Sequence, residues 1–247
     1  MISVVIPAYN EENNITACLN SLVKQKTKKK FEVIVVDNAS TDNTVSVVKK
    51  FNKKLNLIVV SEKYKGRGAA RAKGFSVASG DIILSTDSDT VVPSNWVDYL
   101  STKLELLAEE TKKKKTRQRV VGLTGPCKVN DSSPFKNTVL SIGQPISMHI
   151  YRLIMGHYFF SGFNFAITKK AYFQAGGFGK KISGCEDLDL AFKVNKIGKI
   201  HFVNNLPVTF SGRRFEEGLI KGLLDYVKSC FNYFVLKKSD SKLSDVR

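Results

Sequence analysis

The sequence has little cysteine, and no cysteine lies near another. Its four cysteines are Cys18, Cys127, Cys185 and Cys230, and they form no Cys-x-x-Cys pair and no cluster with histidine. This spacing argues against a zinc site and against a redox motif. Reduced, mostly buried thiols in a cytosolic chain are therefore the expectation.

The sequence also lacks the usual signals for export and membrane insertion. It opens with a short apolar run and no basic segment, so no secretory leader is expected. It contains no uncharged apolar stretch of about 18 residues, so no membrane-spanning helix is expected. We expect a cytoplasmic protein, with peripheral attachment to the cytoplasmic face of a membrane as a further hypothesis.

Acidic residues are scarce relative to basic ones. Lys and Arg total 39 against 22 Asp and Glu, which gives a formal net charge of +17. Such a charge fits either a polyanionic partner or a merely solubilising surface. The basic runs 24–30 and 112–119 lack interleaved aromatic residues that stack on single strands, which disfavours nucleic acid. With 43% hydrophobic and 25% charged residues, the 247-residue chain has a globular composition.

Strand and helix patterns alternate through the first half of the chain. Continuous apolar runs predict strands at 2–6 (stopped by Pro7), 31–36, 55–60 and 81–85. Helices are predicted at 11–24, after 40–42, and within 66–79. Unbroken apolar strands separated by helices indicate a parallel sheet covered on both faces.

The second half is less regular. Strands are predicted at 120–129, 163–167, 199–203 and 207–211, and helices at 94–110, 135–160, 169–175, 185–196 and 216–236. The predicted fold is α/β, a mostly parallel central sheet flanked by helices, with a C-terminal amphipathic helical extension. We place the main domain at 1–212, divided into halves 1–90 and 91–212, and the extension at 213–247.

Polar clusters follow three of the predicted strands. They are the segments Pro7–Asn10, Asp37–Asn38 and Asp87–Asp89. Because ligands of such sheets bind outside the carboxyl ends of the strands, we expect these clusters to converge at one ligand-binding edge.

Two acidic clusters and one glycine-containing loop could carry chemistry. Asp87-Ser88-Asp89 fits either a Mg²⁺ or Mn²⁺ site completed by phosphates or a simple turn. Glu186-Asp187-Leu188-Asp189 fits either a general base near an acceptor hydroxyl or a favourable charge arrangement at a helix start. The segment 66–71, with Gly66, Gly68 and Arg71, suits a diphosphate or is a flexible turn; it has no Walker Gly-Lys-Ser/Thr sequence.

These motifs occur in an order that resembles family 2 glycosyltransferases of the GT-A fold. The matching segments are 7–12, 35–42, 68–74, 87–89, 163–166, 176–178 and 186–190, and the resemblance covers roughly residues 1–212. Because most members of the family invert the configuration of the sugar, the resemblance implies an inverting enzyme. It also implies a nucleotide-diphosphate sugar as donor and a divalent metal, Mn²⁺ or Mg²⁺.

The resemblance also implies roles for individual residues. The donor is expected to contact Pro7, Ala8, Tyr9, Glu11, Asp37, Arg71, Asp87 and Ser88. Asp89, with Asp87, is expected to hold the metal. Asp187 is the expected catalytic base, with Glu186 beside it, and acceptor contacts are expected from Asn164, Gly162 and Glu186.

The sequence departs from the family pattern in three places. Lys180 and Lys181 follow Gly179 where an acid is common, which affects the acceptor contacts. Arg213 and Arg214 follow the strand at 207–211 where many members carry a metal-binding histidine, so a diphosphate contact is their alternative role. No Gln-x-x-Arg-Trp sequence is present, which favours a non-processive enzyme.

The predicted partners follow from these features. They are a nucleotide-diphosphate sugar, with a UDP-sugar favoured and GDP-mannose next, and a glycan or lipid-linked acceptor. The helix at 216–236 and the apolar stretch 139–160 could bind an anionic membrane surface, pack on the domain or form a homodimer.

The alternative function is a non-catalytic basic module that binds nucleic acid or an anionic membrane. A nucleotidyltransferase is disfavoured because no glycine-rich basic loop follows the first strand.

Overall fold

A central seven-stranded sheet organises the computed structural model, which describes residues 1–114, 119–182, 184–213 and the single residue 224. The strands are β1 (Ile2–Ala8), β2 (Phe31–Asp37), β3 (Leu57–Ser61), β4 (Ile82–Ser85), β5 (Val120–Thr124), β6 (Cys127–Lys128), β7 (Phe165–Thr168), β8 (Lys199–Phe202) and β9 (Val208–Thr209). The helices are α1 (Ile15–Val23), α2 (Thr44–Lys49), α3 (Arg67–Val77), α4 (Trp96–Lys113), α5 (Pro134–Met155), α6 (Lys169–Gln174) and α7 (Glu186–Asn195).

The sheet has the strand order β3-β2-β1-β4-β7-β5-β8. The first four of these strands are parallel to one another, as the alternation of strands and helices predicts. β7 runs antiparallel to both β4 and β5, and β5 is again parallel to β8. A separate small sheet joins β6 to β9. The predicted α/β fold with a mostly parallel central sheet flanked by helices is confirmed.

The strands of the central sheet bury side chains on both faces. In β1, Val4 packs with α1 and α4 on one face, and Val5 packs with α3 and α7 on the other. The largest fully buried hydrophobic side chains include Trp96 of α4 on the first face and Phe75 of α3 on the second. Two buried layers explain why the strands read as continuous apolar runs.

Among the predicted boundaries that differ from the structure, three have a clear local reason. β1 continues through Pro7 to Ala8, because its pairing with β4 ends at Val5 and Pro7 needs no N–H on that side. The predicted strand 120–129 is two strands, interrupted at Gly125 and Pro126, and its second part joins another sheet. The predicted helix 135–160 ends at Met155, where Gly156 adopts the left-handed backbone that closes many helices.

Other expectations concern the cysteines, the C-terminal segment and membrane-spanning helices. Cys18, Cys127 and Cys185 are buried free thiols, as expected. The predicted helix 216–236, as well as Arg214 and Cys230, lies outside the described residues. Within the part of the chain that is described, no helix is both long and apolar enough to cross a membrane.

Candidate active site

The carboxyl ends of β1, β2 and β4 lie at one edge of the central sheet. The Asn38 amide donates to the carbonyl of Ala8, which ties the ends of β1 and β2 together. Asn10 (φ 52°) and Ala39 (φ 63°), each just beyond one of these strands, are the two non-glycine residues with positive φ in the described chain. Such backbone strain concentrates at functional sites. The sheet edge that carries the predicted polar clusters therefore also carries these two positive-φ residues.

Arg71 of α3 connects the end of β4 with the start of α7. Its guanidinium donates to Asp87 Oδ1 at 2.6 Å and to Glu186 Oε1. Arg71 is only 2% exposed, and Glu186 is buried as well, so water screens these ion pairs little. The guanidinium also lies against Gly162, where an added Cβ would be 2.4 Å from Nη2. One cation thus holds a predicted donor-binding carboxylate and a predicted catalytic carboxylate together.

Asp187, the predicted base, lies in the first turn of α7 next to this arginine. Its carboxylate accepts from the Gly162 amide at 3.3 Å and from its neighbour Leu188 at 2.9 Å. Burial and the charge of Glu186 raise the pKa of Asp187 to about 7, although Arg71 acts in the opposite direction. A carboxylate with a pKa near neutrality can take up a proton in one step and release it in the next, as a general base must.

A second arginine joins the start of α1 to the end of β4. Arg213 Nη2 lies 2.6 Å from Glu11 Oε1 and 2.8 Å from Asp89 Oδ2. Glu11 is 1% exposed, and its amide donates to Thr44 Oγ1 at 2.8 Å. Burial and the charge of Asp87 raise the pKa of Asp89 to about 6, although Arg213 lowers it. Arg213 thus neutralises part of the negative charge of this carboxylate pair.

The Asp87–Asp89 segment lies in negatively charged surroundings. Burial raises the pKa of the Cys18 thiol, and the nearby charges of Asp89, Asp87 and Glu11 raise it further. The described residues contain no group of three or more His, Cys, Asp or Glu side chains that could hold a metal ion. Mg²⁺ and similar ions, however, are often held by one or two carboxylates together with phosphates and water. Asp87 and Asp89 fit such a site, in which the diphosphate supplies further ligands.

The other predicted donor residues line the same edge. Pro7 and Ala8 are the last residues of β1, and Ser88 is buried between the two aspartates. Asp37 ends β2, where its carboxylate accepts from the Ser40 amide at 3.2 Å. The edge therefore brings these residues together with Arg71 and Arg213, and their contact with a donor stays a prediction.

Asn164 and Gly162 occupy different surroundings. Asn164 is fully buried, where its amide nitrogen donates to the carbonyls of Pro126 and Leu206 and its oxygen accepts from Trp96 Nε1 at 2.8 Å. These bonds give Asn164 a structural role, and its acceptor contact stays a prediction. Gly162 lies between Arg71 and Asp187, and its acceptor contact also stays a prediction.

Sequence reasoning did not identify Lys65 as part of this edge. Its Nζ lies 4.9 Å from the centre of the Tyr9 ring and 3.3 Å from the Tyr9 hydroxyl. Asn38 fixes the segment that carries Lys65, by donating to the carbonyls of Glu62 and Tyr64. In a chain with 39 Lys and Arg residues, nothing in the sequence distinguishes this lysine from the others.

The parallel sheet and the polar edge define an α/β domain of the type that binds nucleotides at its strand ends. Residues 3–109, which make up less than half of the chain, match the family described as "Glycosyl transferase family 2". The predicted resemblance to family 2 glycosyltransferases is confirmed over these residues.

Two curated relatives illustrate the similarity. The chain is 44% identical over 93 residues to the poly(ribitol-phosphate) beta-N-acetylglucosaminyltransferase TarS of Staphylococcus aureus; the match covers 36% of this chain and 16% of TarS. It is 33% identical over 106 residues to the UDP-Glc:alpha-D-GlcNAc-diphosphoundecaprenol beta-1,3-glucosyltransferase WfgD of Escherichia coli, over 43% of this chain and 39% of WfgD. The matches thus span well under half of these relatives.

Solved structures share the fold over nearly the whole chain. A crystal structure of residues 1–349 of S. aureus TarS has a TM-score of 0.63 and 24% identity, covering 94% of this chain and 65% of that one. The mannosyltransferase PcManGT of Pyrobaculum calidifontis, in complex with GDP-Man and Mn²⁺, has a TM-score of 0.66 and 22% identity, covering 96% and 64%. The fold therefore extends beyond the segment that the family description matches.

Proposed function

We propose that this chain is a metal-dependent inverting glycosyltransferase that moves a sugar from a nucleotide-diphosphate sugar to a hydroxyl of a glycan or lipid-linked acceptor. The main support for the proposal is that Arg71 forms ion pairs with both Asp87 and Glu186. Through them the end of β4, where a donor diphosphate binds in this proposal, lies beside the start of α7, which carries the candidate base.

On the donor side, the strand ends bind the nucleotide and orient the sugar. Asp89, assisted by Asp87, would hold Mn²⁺ or Mg²⁺, and this ion would supply positive charge for the leaving diphosphate. Pro7, Ala8, Tyr9 and the residues that follow them form the pocket for base and ribose. A UDP-sugar is the preferred donor because TarS was solved with UDP-GlcNAc, and GDP-mannose is second because PcManGT was solved with GDP-Man.

On the acceptor side, Asp187 takes the proton of the attacking hydroxyl. The hydroxyl oxygen forms the new bond to the anomeric carbon while the bond to the diphosphate breaks, which inverts the configuration. Glu186 keeps Arg71 in place, and the amide of Gly162 orients the Asp187 carboxylate. An acceptor joined to a lipid diphosphate is one that WfgD's name describes, and it suits the basic character of this chain.

Asp187→Asn tests the base. We expect the variant to keep donor binding, measured by thermal shift with UDP-sugars and Mn²⁺, and to lose about 10²–10⁴-fold of the transfer rate. In the unsubstituted enzyme, kcat/KM should rise with pH through about 7, because Asp187 must lose its proton before it can act as base.

Asp81→Asn is the matched control, because Asp81 precedes β4 at the opposite edge and its side chain is 94% exposed. It should leave transfer and donor binding unchanged. If Asp187→Asn transferred the sugar at the full rate, Asp187 would not be the catalytic base. Absence of any thermal shift with all donors, together with tight binding to nucleic acid at physiological salt, would instead favour the non-catalytic basic module.

A further inference from the structure

Helix α5 has one face against the domain and one face in solvent. On the inner face, Leu140 and Met148 are buried. Gln144 donates from its amide nitrogen to Ser161 Oγ at 3.1 Å and accepts from the Cys127 amide at 3.3 Å. These contacts fix the orientation of the helix, so the residues on its outer face are also fixed.

The outer face of α5 is apolar. Ile142, Ile146, Ile150 and Leu153 follow one another at spacings of four, four and three residues, so they form one stripe along the helix. Leu153 is 85% exposed, and the adjoining Ile154 and Phe135 are 75% and 73% exposed. A contiguous exposed apolar surface of this kind marks an interaction site.

The charge of α5 indicates what covers this stripe. Residues 134–155 include Lys136, His149 and Arg152 but no Asp or Glu, and the whole chain carries a net charge of +17. A second copy of the chain would place the same cationic face against this one, with no carboxylate on either helix to pair with it. A bilayer surface with anionic lipids offers both an apolar phase and the missing negative charge.

We propose that the outer face of α5, defined by Phe135, Ile142, Ile146, Ile150, Leu153 and Ile154, docks on the surface of a bilayer that contains anionic lipid. The 22-residue helix is about 33 Å long and lies in the plane of the membrane, with its apolar stripe in the headgroup region. It is not apolar enough to span the bilayer.

The docked helix places the candidate active site near the lipid. The inner face of α5 contacts Ser161, which precedes Gly162, and Gly162 contacts both Asp187 and Arg71. If the proposed function holds, the acceptor is therefore a lipid-anchored glycan, whose hydroxyl gives its proton to Asp187.

The test is cosedimentation of the full chain with vesicles of phosphatidylcholine and phosphatidylglycerol at low salt, with Leu153→Glu and its matched control Leu106→Glu. Leu106 is 63% exposed on α4, which packs on the other face of the sheet. We expect the unsubstituted chain and Leu106→Glu to bind, and Leu153→Glu to bind at least about tenfold more weakly. Binding to vesicles of phosphatidylcholine alone should be weaker for all three.

Equal binding by Leu153→Glu and Leu106→Glu, or no binding by the unsubstituted chain, would overturn the proposal. So would a dimer in sedimentation velocity that Leu153→Glu dissociates, because a second copy would then be the occupant. Slow labelling of Leu153→Cys by a charged maleimide without vesicles would show that another part of the chain covers the face. Vesicle binding requires neither donor nor metal, so this proposal and the proposed function can fail separately.

Discussion

At the scale of single residues, two arginines form similar ion pairs but differ in their exposure to solvent. Arg71 and Arg213 each bridge two carboxylates, but Arg71 is 2% exposed whereas Arg213 is 21% exposed. The Arg71 guanidinium packs against Gly162, where an added Cβ would be 2.4 Å from Nη2. Arg213 is more accessible, and the carboxylates that it bridges include Asp89, the residue we assign to the metal. Arg213 is therefore the arginine whose place a divalent cation can most readily take over.

Replacing Arg213 by alanine should make this exchange measurable. Without the guanidinium, Glu11 and Asp89 lose a shared counter-charge, so we expect the free energy of unfolding to fall by about 1–3 kcal/mol. Mn²⁺ should then raise the melting temperature more in Arg213→Ala than in the unsubstituted chain, because it replaces the lost cation. Thermal unfolding with and without Mn²⁺ measures both effects.

The control for this variant is Arg119→Ala, which removes the same side chain from an exposed position before β5. It should change neither the stability nor the response to Mn²⁺. If Arg213→Ala behaved like Arg119→Ala, the bridge to Glu11 and Asp89 would contribute nothing to stability.

At the scale of elements, the close approach of α3 to the segment 179–182 depends on a glycine. A Cβ at Gly68 would lie 2.2 Å from the carbonyl oxygen of Ile182 and 2.6 Å from that of Gly179. Because both contacts are with backbone, a rotamer change cannot relieve them. Gly68 therefore determines how close α3, with Arg71 in its second turn, comes to the acceptor side of the site.

Gly68→Ala should therefore destabilise the protein by about 1–3 kcal/mol, since overpacking forces backbone shifts. The matched variant is Gly143→Ala on α5, where no atom lies within 4 Å of the added Cβ. It should stabilise by about 0.5–1 kcal/mol, because alanine is the better helix residue. Chemical denaturation of both variants measures the difference, and a stable Gly68→Ala would mean that the segment 179–182 moves without cost.

The elements that could be predicted from sequence are those whose pattern is local. β1, β2 and β4 are apolar runs buried on both faces, so their positions and the polar residues beyond them were predictable. The division of 120–129 was not, because Val129 is as buried as the strand residues although it packs with Phe210 in another cluster. Burial in a different part of the core leaves the same apolar pattern in the sequence.

Contacts in the site were predictable only where they lie within one motif. Asp87 and Asp89 are two residues apart after a strand, and this spacing fits either a shared cation or a simple turn. The contact between Glu11 and Arg213 joins residues 202 apart in sequence. The burial of the Asn164 amide likewise depends on Pro126 and Leu206, 38 and 42 residues away. Neither long-range arrangement leaves a periodic or local signal.

At the scale of the whole molecule, most of the excess positive charge lies on the surface, whereas several negative charges are buried in ion pairs. The net charge of +17 comes largely from a surface rich in Lys and Arg. Several carboxylates instead form buried ion pairs, such as that between Glu186 and Arg71. The surface cations therefore repel one another with few acidic neighbours. The buried pairs hold together segments that are far apart in sequence, and salt screens them much less than it screens surface charges.

Salt should therefore stabilise this protein. Raising NaCl from about 0.02 to 0.2 M shortens the Debye length from about 20 to 7 Å and screens the surface repulsion, while the buried Arg71 pairs keep most of their attraction. We expect a gain of about 1 kcal/mol, or about 2–4 °C in the melting temperature, in a protein of this size. An osmotically matched series with sucrose separates this screening from solute exclusion, because sucrose adds no ions. A melting temperature that falls as NaCl rises would mean that attractive ion pairs, and not the excess of positive charge, dominate the electrostatic free energy of folding.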